Sequence, residues 1–193
     1  MSTISIKFDN IKRYEDKALF EKDLQTMPFS RREKIKRLKF QNDKCLSLLA
    51  GVLLRDELLK LGITDYDVFY DEKGKPFLKN SNLHFSLSHS GEMAMCVISD
   101  QNVGCDIEKI KPIDLKIAKR FFTDDEYNEI INSDNPECAF YRLWTLKESF
   151  LKVTGEGLLL PLNSFKTVSD DKYTFFEINE IEGYKAAYCL EVN

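Results

Sequence analysis

The stretch Leu143-Trp144-Thr145-Leu146-Lys147-Glu148-Ser149-Phe150-Leu151-Lys152 lies in a segment whose two ends are those of one long helix. Asn135 is a favourable N-cap, and Pro136 suits the first helical position because no N–H donor is needed there. Gly155 and Gly157 can end the helix, since glycine readily adopts the left-handed conformation that follows many helices. The sequence therefore predicts a long central helix over about residues 137–154.

Glu148 and Lys152 of this helix are spaced by four residues, as is Trp144, so the three side chains share one face. A glutamate–lysine pair on a solvated face would explain this spacing as well as a functional site would. Asp106 and Glu108 lie two apart on a predicted short strand and point to the same face. Adjacent carboxylates repel unless a proton or a cation lies between them. Together with Glu148 they favour a Mg²⁺ site, and a solvated acidic strand end stays open as the alternative.

The composition limits the class of protein. The 193 residues, 43% of them hydrophobic, fit one globular domain or two fused halves. No apolar run approaches the roughly 20 residues of a membrane span, and the N-terminal residues lack the apolar core of a signal peptide. The five cysteines are odd in number and form no CxxC motif, so we expect a cytoplasmic protein without a disulfide framework or a zinc site. The formal net charge of -4 argues against a general nucleic-acid binder.

Three further segments suit the binding of anions. Six basic residues lie between Arg31 and Lys39, which indicates either an anion-binding patch or a solvated amphipathic helix. Ser88 and His89 belong to a Ser-His-Ser-Gly turn whose hydroxyl, imidazole and amides suit phosphate oxygens. Since neighbours on a strand point to opposite faces, Ser88 and His89 are not expected to form a hydrolytic pair. Lys75 lies in a Gly-Lys-Pro turn, where it is available to another phosphate.

Hydrophobic periodicity predicts the same plan in both halves of the chain, a long helix followed by three strands. The first half has its helix over about residues 43–61 and strands near residues 66–70, 84–87 and 93–99; the second half has the central helix and strands near residues 165–168, 173–178 and 184–192. The strand with Asp106 joins the two halves. We expect an α+β fold of two lobes related by pseudo-twofold symmetry, each with a long helix and a three-stranded antiparallel sheet. The lobes would span residues 1–102 and 103–193, with the active site in the cleft between them.

The chain contains four motifs in this order: Gly74-Lys75-Pro76, Phe85-Ser86-Leu87-Ser88-His89-Ser90, Val103-Gly104-Cys105-Asp106-Ile107-Glu108 and Trp144-Thr145-Leu146-Lys147-Glu148-Ser149-Phe150-Leu151-Lys152. In order and spacing they resemble the surfactin-synthetase-activating type of 4′-phosphopantetheinyl transferase, and the similarity runs from about Arg31 to Phe165. The resemblance implies the pseudo-twofold α+β fold of that family. It also implies an enzyme that transfers the phosphopantetheine arm of coenzyme A to a serine of an acyl or peptidyl carrier protein, with Mg²⁺ as cofactor and release of 3′,5′-ADP.

The resemblance assigns roles to individual residues. Asp106, Glu108 and Glu148 would hold Mg²⁺. The catalytic residues would be Glu126, Glu148 and Lys152. The residues that contact phosphates of coenzyme A would be Arg31 and Lys34, on the 3′-phosphate, together with Lys75, Ser88, His89 and Lys152. Leu46 occupies a position where the family often has an arginine, and nearby Lys44 is a candidate to compensate for it.

Glu126 has two interpretations that stay open at this point. It falls where the family has a candidate general base, which would accept the proton of the carrier serine. The stretch Thr123-Asp124-Asp125-Glu126 also predicts a capping box, in which the side chain of Glu126 folds back onto the amide of Thr123. The two roles do not exclude each other.

The remaining expectations concern partners. Lys116, Lys119 and Arg120 lie on a predicted short helix after the Asp106 strand and would form a basic docking surface for an acidic carrier protein, while Phe121 and Phe122 are either core or part of that surface. We expect a monomer that binds neither nucleic acid nor a membrane. The alternatives are a Mg²⁺-dependent hydrolase of nucleotides or pyrophosphate, and a nonenzymatic module that binds coenzyme A or nucleic acid.

Overall fold

The computed structural model describes residues 4–79, 81–157 and 160–192. Within these ranges the chain forms six α-helices and eight strands, with 3₁₀ turns at Ile11–Glu15 and Leu162–Ser164. The elements are β1 (Ile4–Asn10), α1 (Lys17–Gln25), α2 (Phe29–Arg37), α3 (Gln41–Lys60), β2 (Val68–Tyr70), β3 (Pro76–Leu78), β4 (His84–Ser90), β5 (Met93–Ser99), β6 (Val103–Lys109), α4 (Leu115–Phe121), α5 (Asp124–Ile131), α6 (Pro136–Thr154), β7 (Tyr173–Ile178) and β8 (Tyr184–Glu191).

The N-terminal lobe is built on the long helix α3. An antiparallel sheet of order β1-β5-β4 packs against it, and β2 pairs with β3 in a separate hairpin. Leu48, Leu49 and Val52 of α3 are buried in one core with Phe85 of β4 and Ile98 of β5. Burial of these apolar side chains is the main force that holds the helix on the sheet.

The C-terminal lobe repeats this arrangement with α6 and an antiparallel sheet of order β6-β8-β7. Asn135 caps α6 by accepting a hydrogen bond from the amide of Cys138 (3.0 Å), and Gly155 ends the helix in the left-handed conformation with φ of 70°. The long central helix predicted from these caps is confirmed. Among the described residues, no helix is long and apolar enough to cross a membrane.

The two lobes meet through the inner faces of their sheets. Met95 and Val97 of β5 share a core with Val103, Cys105 and Ile107 of β6. On the other side of β6, α6 approaches the strand backbone at Gly104. A Cβ atom there would lie 2.1 Å from the carbonyl oxygen of Ser149, so only glycine allows the helix to lie this close.

The α+β fold of two similar lobes is confirmed, but the expected strand membership is wrong. Each sheet takes one strand from before its long helix, β1 or β6, and two from after it. β2 lies in the hairpin instead, and residues 165–168 form no strand in the described structure. At Phe165 the carbonyl oxygen accepts a hydrogen bond from Lys147, and the ring packs 4.8 Å from the ring of Phe150. This segment therefore has tertiary partners where a strand would have a ladder.

Candidate active site

Asp106 lies where the two lobes meet, and the residue is 4% exposed. Its Oδ1 accepts hydrogen bonds from Nζ of Lys152 on α6 (2.8 Å) and from the hydroxyl of Ser88 on β4 (2.7 Å). Lys152 also donates to the carbonyl oxygen of Cys105 on β6 (2.9 Å). One oxygen atom thus joins elements of both lobes, and the predicted D-x-E strand and the predicted helix face do come together.

Negative charge is crowded around this point. Burial raises the pKa of Glu148, and the charge of Asp106 raises it further. Burial also raises the pKa of Glu108; the hydrogen bond from Ser90 opposes this shift and the charge of Asp106 adds to it. Burial disfavours the ammonium of Lys152, but the charge of Asp106, its hydrogen bond and the neighbouring groups Cys105 and Glu148 together outweigh that effect, so the pKa of Lys152 is raised. The site therefore favours additional positive charge.

The other oxygen of Asp106, Oδ2, is buried and has no hydrogen-bond partner among the described residues. The described residues also contain no group of three or more His, Cys, Asp and Glu side chains that are close enough together to hold a metal ion. Asp106, Glu108 and Glu148 thus interact electrostatically without forming a closed ligand cage. The ammonium of Lys152 provides the positive charge beside Asp106.

An open cavity lies next to Lys152, between α6 and the hairpin of the N-terminal lobe. Its lining residues come from three segments and are Lys73–Pro76, Phe85–Leu87, and Glu148, Leu151, Lys152, Gly155 and Gly157. Lys75 crosses from the hairpin to α6, where Nζ donates to Oδ1 of Asn102 (2.5 Å) and to the carbonyl oxygen of Val153 (2.7 Å). Burial lowers the pKa of Lys75 to about 8. The cavity thus has a lysine on either side of it.

His89 and Arg31 extend the basic side of the site. His89 is exposed, but loss of solvent around its ring lowers its pKa. The positive charges of Lys152 and Arg31 lower this pKa further. Arg31 of α2 donates to the carbonyl oxygen of Ser47 (2.8 Å). Its Nε lies against Gly51 of α3, where a Cβ atom would come within 2.4 Å of it. That Nε is buried and has no hydrogen-bond partner in the described ranges.

Lys34 lies one helical turn beyond Arg31 and is exposed in a shallow surface groove with Phe29 and Leu38. Ile35 of the same helix is fully buried, so α2 is amphipathic, as one interpretation of the basic segment predicted. Arg31 alone of the two predicted 3′-phosphate contacts influences His89 electrostatically in the described structure.

Two family models match consecutive parts of the chain. The model described as "4'-phosphopantetheinyl transferase, N-terminal" matches residues 15–101, and that of the "4'-phosphopantetheinyl transferase superfamily" matches residues 102–193. The 4'-phosphopantetheinyl transferase Sfp of Bacillus subtilis (strain 168) is 40% identical, over 82% of this chain and 80% of that protein. The chain belongs to the 4′-phosphopantetheinyl transferase family. It is therefore an enzyme, and the resemblance inferred from its motifs is confirmed.

Other relatives of this transferase have similar names. The 4'-phosphopantetheinyl transferase gsp of Aneurinibacillus migulanus is 37% identical, over 76% of this chain and 69% of that protein. A solved holo-(acyl-carrier-protein) synthase from Bacillus anthracis str. Ames, in complex with CoA, matches 50% of this chain and 92% of its own with a TM-score of 0.40 and 24% identity.

Glu126 is part of a separate buried network in the transferase. The predicted capping box is confirmed, because Oε2 of Glu126 accepts from the amide (2.9 Å) and hydroxyl (3.0 Å) of Thr123, and Glu126 N donates to the Thr123 hydroxyl (3.4 Å). The same Oε2 lies 2.9 Å from Nζ of Lys147, which is fully buried. Lys147 also donates to the carbonyl oxygens of Leu162 (2.8 Å) and Phe165 (2.5 Å). Glu126 lines a cavity with Arg142 and other residues on α5 and α6, and its role as general base stays a prediction.

The surface of α4 is as basic as predicted. Lys116, Lys119 and Arg120 are exposed, and Ile117 between them is 43% exposed. Phe122 is buried in an aromatic cluster with Phe140 and Trp144, and Phe121 packs edge-on against Trp144. Of the two phenylalanines, Phe122 is core, and the helix face that remains free is cationic.

Sequence reasoning missed three residues that support the site. Lys147 lies beside Glu148 in the W-x-x-K-E motif but has no periodic signal of its own, since it lies about 100° around α6 from Glu148 and pairs with Glu126. Asn102 fixes Lys75 and donates to Val153 (2.9 Å) from a turn that predicted only a chain reversal. Ser90 donates to Glu108 (2.5 Å); its alternation with Ser88 along β4 is the signal that could have identified it.

Proposed function

We propose that this enzyme transfers the 4′-phosphopantetheine arm of coenzyme A to a serine hydroxyl of an apo acyl or peptidyl carrier protein. The serine oxygen forms a bond to the β-phosphorus, the bond to the bridging pyrophosphate oxygen breaks, and 3′,5′-ADP leaves. The observation that supports this most strongly is the placement of Lys152, bonded to Asp106 and lining the cavity with Glu148 and Lys75. Family membership supports the reaction type.

The basic groups around the cavity would bind the phosphates of coenzyme A. Lys152 and Lys75 face the cavity from opposite lobes, so a pyrophosphate between them would be neutralised from both sides. His89 lies near the end of β4, where its imidazole can donate to a further phosphate oxygen. Ser88 donates its one hydroxyl proton to Asp106, so it would have to exchange that hydrogen bond to contact a phosphate. Arg31, whose positive charge acts on His89, would contact the 3′-phosphate, and exposed Lys34 would add charge at the rim.

The residues present fit a Mg²⁺ ion on the evidence of one atom. Oδ2 of Asp106 is a buried carboxylate oxygen without a partner in the described ranges, in a neighbourhood where the pKa values of Glu108 and Glu148 are raised. A hard cation with oxygen ligands suits such a position. Asp106, Glu108 and Glu148, which are not assembled as a ligand group among the described residues, would have to draw together to hold the ion. When bound, Mg²⁺ neutralises charge on the pyrophosphate and so makes 3′,5′-ADP a better leaving group.

The serine proton needs an acceptor, and Glu126 is the candidate that the family resemblance suggests. Its carboxylate is buried and paired with Lys147. Two contacts support a second role whether or not a proton is transferred. The capping box stabilises the first turn of α5, and the ion pair with Lys147 fixes α5 against α6.

Further proposals concern organisation and setting. We place the lobe boundary between residues 102 and 103, since β1, β4 and β5 lie before it and β6, β7 and β8 after it. The five cysteines are unpaired thiols, which suits a reducing cytoplasm. We propose a monomer whose partners are coenzyme A and a carrier protein.

One assay tests the proposal. The protein is incubated with coenzyme A, Mg²⁺ and an apo carrier protein, and the carrier is weighed by mass spectrometry. A gain of one phosphopantetheine arm, with stoichiometric release of 3′,5′-ADP, is expected. Phosphate release without a carrier would identify a hydrolase, and binding of coenzyme A without turnover would identify a binding module. Omission of Mg²⁺ with excess chelator tests the metal requirement.

A further inference from the structure

Three serines of β4 contact the edge of β6, although the two strands belong to different sheets. Ser86, Ser88 and Ser90 alternate along β4, so their hydroxyls point to the same side. Each hydroxyl oxygen accepts a hydrogen bond from a backbone amide of β6. The pairs are Cys105 N to Ser86 (2.9 Å), Ile107 N to Ser88 (3.3 Å) and Lys109 N to Ser90 (3.2 Å). Side chains of one lobe thus take the place of a strand ladder at this edge.

The chemistry of a strand edge explains this arrangement. β6 pairs with β8 along one edge, which leaves alternate N–H groups pointing away from the sheet. Buried N–H groups need acceptors, and a hydroxyl is one that has a proton left to donate. The serine series therefore satisfies the edge of β6 and retains one donor at each position.

Two of these remaining protons go to carboxylates that β6 presents at alternate positions. Ser88 donates to Oδ1 of Asp106 (2.7 Å), and Ser90 donates to Oε2 of Glu108 (2.5 Å). The third position differs, because the residue of β6 that corresponds to Asp106 and Glu108 in this alternation is Gly104. Ser86 consequently binds the backbone of β6 without a carboxylate to orient.

We propose that Ser90 is a positioning residue for the transfer reaction, whose hydroxyl holds the carboxylate of Glu108 toward Asp106. The backbone amide of Lys109 fixes the Ser90 oxygen, and the fixed hydroxyl then fixes the carboxylate, so the geometry of the N-terminal lobe reaches an acidic group of the C-terminal lobe. This proposal rests on the proposed function, in which Asp106 and Glu108 bind a divalent cation. Hydrogen bonds to metal-binding carboxylates commonly affect metal affinity by about 10- to 100-fold.

The test compares Ser90→Ala with Ser86→Ala. Both variants lose a hydrogen bond from a backbone amide of β6, but only Ser90→Ala also loses a hydrogen bond to a carboxylate. Mn²⁺ is the probe, titrated alone into each protein, with free Mn²⁺ measured by electron paramagnetic resonance and stability measured by thermal unfolding. We expect both variants to lose stability, whereas only Ser90→Ala should bind Mn²⁺ about tenfold or more weakly. Ser90→Thr, which retains a hydroxyl, should restore Mn²⁺ affinity to near the wild-type value.

The outcomes separate the two levels of the proposal. If wild type binds Mn²⁺ and Ser90→Ala binds it equally well, or if Ser86→Ala weakens binding as much, Ser90 does not position Glu108. Failure of Ser90→Thr to restore affinity in a folded protein would also overturn the role. If wild type itself does not bind Mn²⁺, the metal site and the role of Ser90 fail together, while phosphopantetheine transfer measured by mass remains an independent result.

Discussion

The ammonium of Lys152 lies 2.8 Å from Oδ1 of Asp106, so a single ion pair joins α6 to β6 at the meeting point of the two lobes. The carboxylate is almost fully buried, and the lysine side chain is 31% exposed toward the cavity. The ammonium of Lys152 is therefore held by Asp106, while part of its side chain is exposed to the cavity. That geometry allows one cation to serve the acidic strand and an incoming anion at the same time.

Replacement of Asp106 by asparagine should lower kcat by orders of magnitude with a modest change in stability. The amide retains the shape of the side chain but removes the charge that faces Lys152 and the proposed cation. The measurement is carrier modification under saturating substrates, with circular dichroism to verify the fold. Asp9→Asn is the matched control, because Asp9 also lies 2.8 Å from a cationic partner, Arg13, but on the outer strand β1. Near-wild-type turnover of Asp106→Asn would exclude Asp106 from the chemistry.

Arg31→Ala should raise the KM for coenzyme A more than Lys34→Ala does. Arg31 is packed on Gly51 and lies near enough to His89 to affect its pKa, whereas Lys34 is exposed on the outside of α2. The double variant should lose much less affinity for 3′-dephospho-coenzyme A than for coenzyme A. Steady-state kinetics with both substrates measure this difference, with exposed Lys36→Ala as the control. Equal losses for the two substrates would show that these residues do not recognise the 3′-phosphate.

The affinity for coenzyme A should fall above about pH 8 through Lys75. Burial lowers the pKa of this lysine to about 8, so the free protein loses the ammonium as the pH rises through that value. Phosphate binding requires the ammonium, and above pH 8 binding must take up a proton. The Kd should then rise by up to about tenfold per pH unit. Calorimetric titrations of wild type and Lys75→Ala between pH 7 and 10 test this.

Lys75→Ala should bind more weakly at pH 7 and show little of this pH dependence. The lowered pKa of Lys75 also makes the stability of the protein depend on pH. Because the pKa of Lys75 in the folded protein is below its ordinary value of 10.5, its contribution to the free energy of unfolding increases as the pH rises from about 8 to 10.5. An identical pH profile of coenzyme A affinity in the variant would assign the dependence to another group.

Charge reversal on α4 should slow carrier modification without weakening coenzyme A binding. Lys116 and Lys119 are exposed on the helix that follows β6, and an acidic carrier would be repelled by glutamates at these positions. The double variant Lys116→Glu with Lys119→Glu is compared with Lys22→Glu, an exposed lysine of α1. We expect kcat/KM for the carrier to fall only in the α4 variant. The loss relative to wild type should be larger at low salt, because the repulsion between like charges is then less screened. Unchanged carrier kinetics would place the docking surface elsewhere.

Glu126→Gln alone does not separate a general base from a helix cap. Glutamine can serve the capping box, but it leaves the buried ammonium of Lys147 without its counter-ion, which commonly costs about 3–5 kcal/mol. The double variant Glu126→Gln with Lys147→Met removes both charges and should recover much of that stability. If Glu126 is the general base, kcat of the double variant falls by roughly 10²-fold or more while its melting temperature approaches that of wild type. Turnover that recovers with stability would limit Glu126 to a structural role.

The sequence predicted those features that depend on residues within about one helical turn or one strand repeat of each other. Asn135, Pro136 and Gly155 set the ends of α6, Thr123 and Glu126 form a capping box, and the D-x-E spacing directs two carboxylates to one side. Such contacts form between close neighbours in the chain, so their signals survive in a short window of sequence. The motifs that indicated the family are of this kind.

Only the tertiary structure decided which elements are partners. The sequence predicted β6 as a strand that joins the two halves but not that it completes the sheet of its own lobe, since a strand has two edges and any free edge can pair. It also could not predict that Phe165 would accept a hydrogen bond from Lys147 in place of a strand ladder. Ser90 and Glu108 are eighteen residues apart and lie in different sheets. Packing of the two lobes buries polar groups, which must then find hydrogen-bond partners across the interface, and this explains the contact of Ser90 with Glu108. The same packing buries Lys75 and so lowers its pKa.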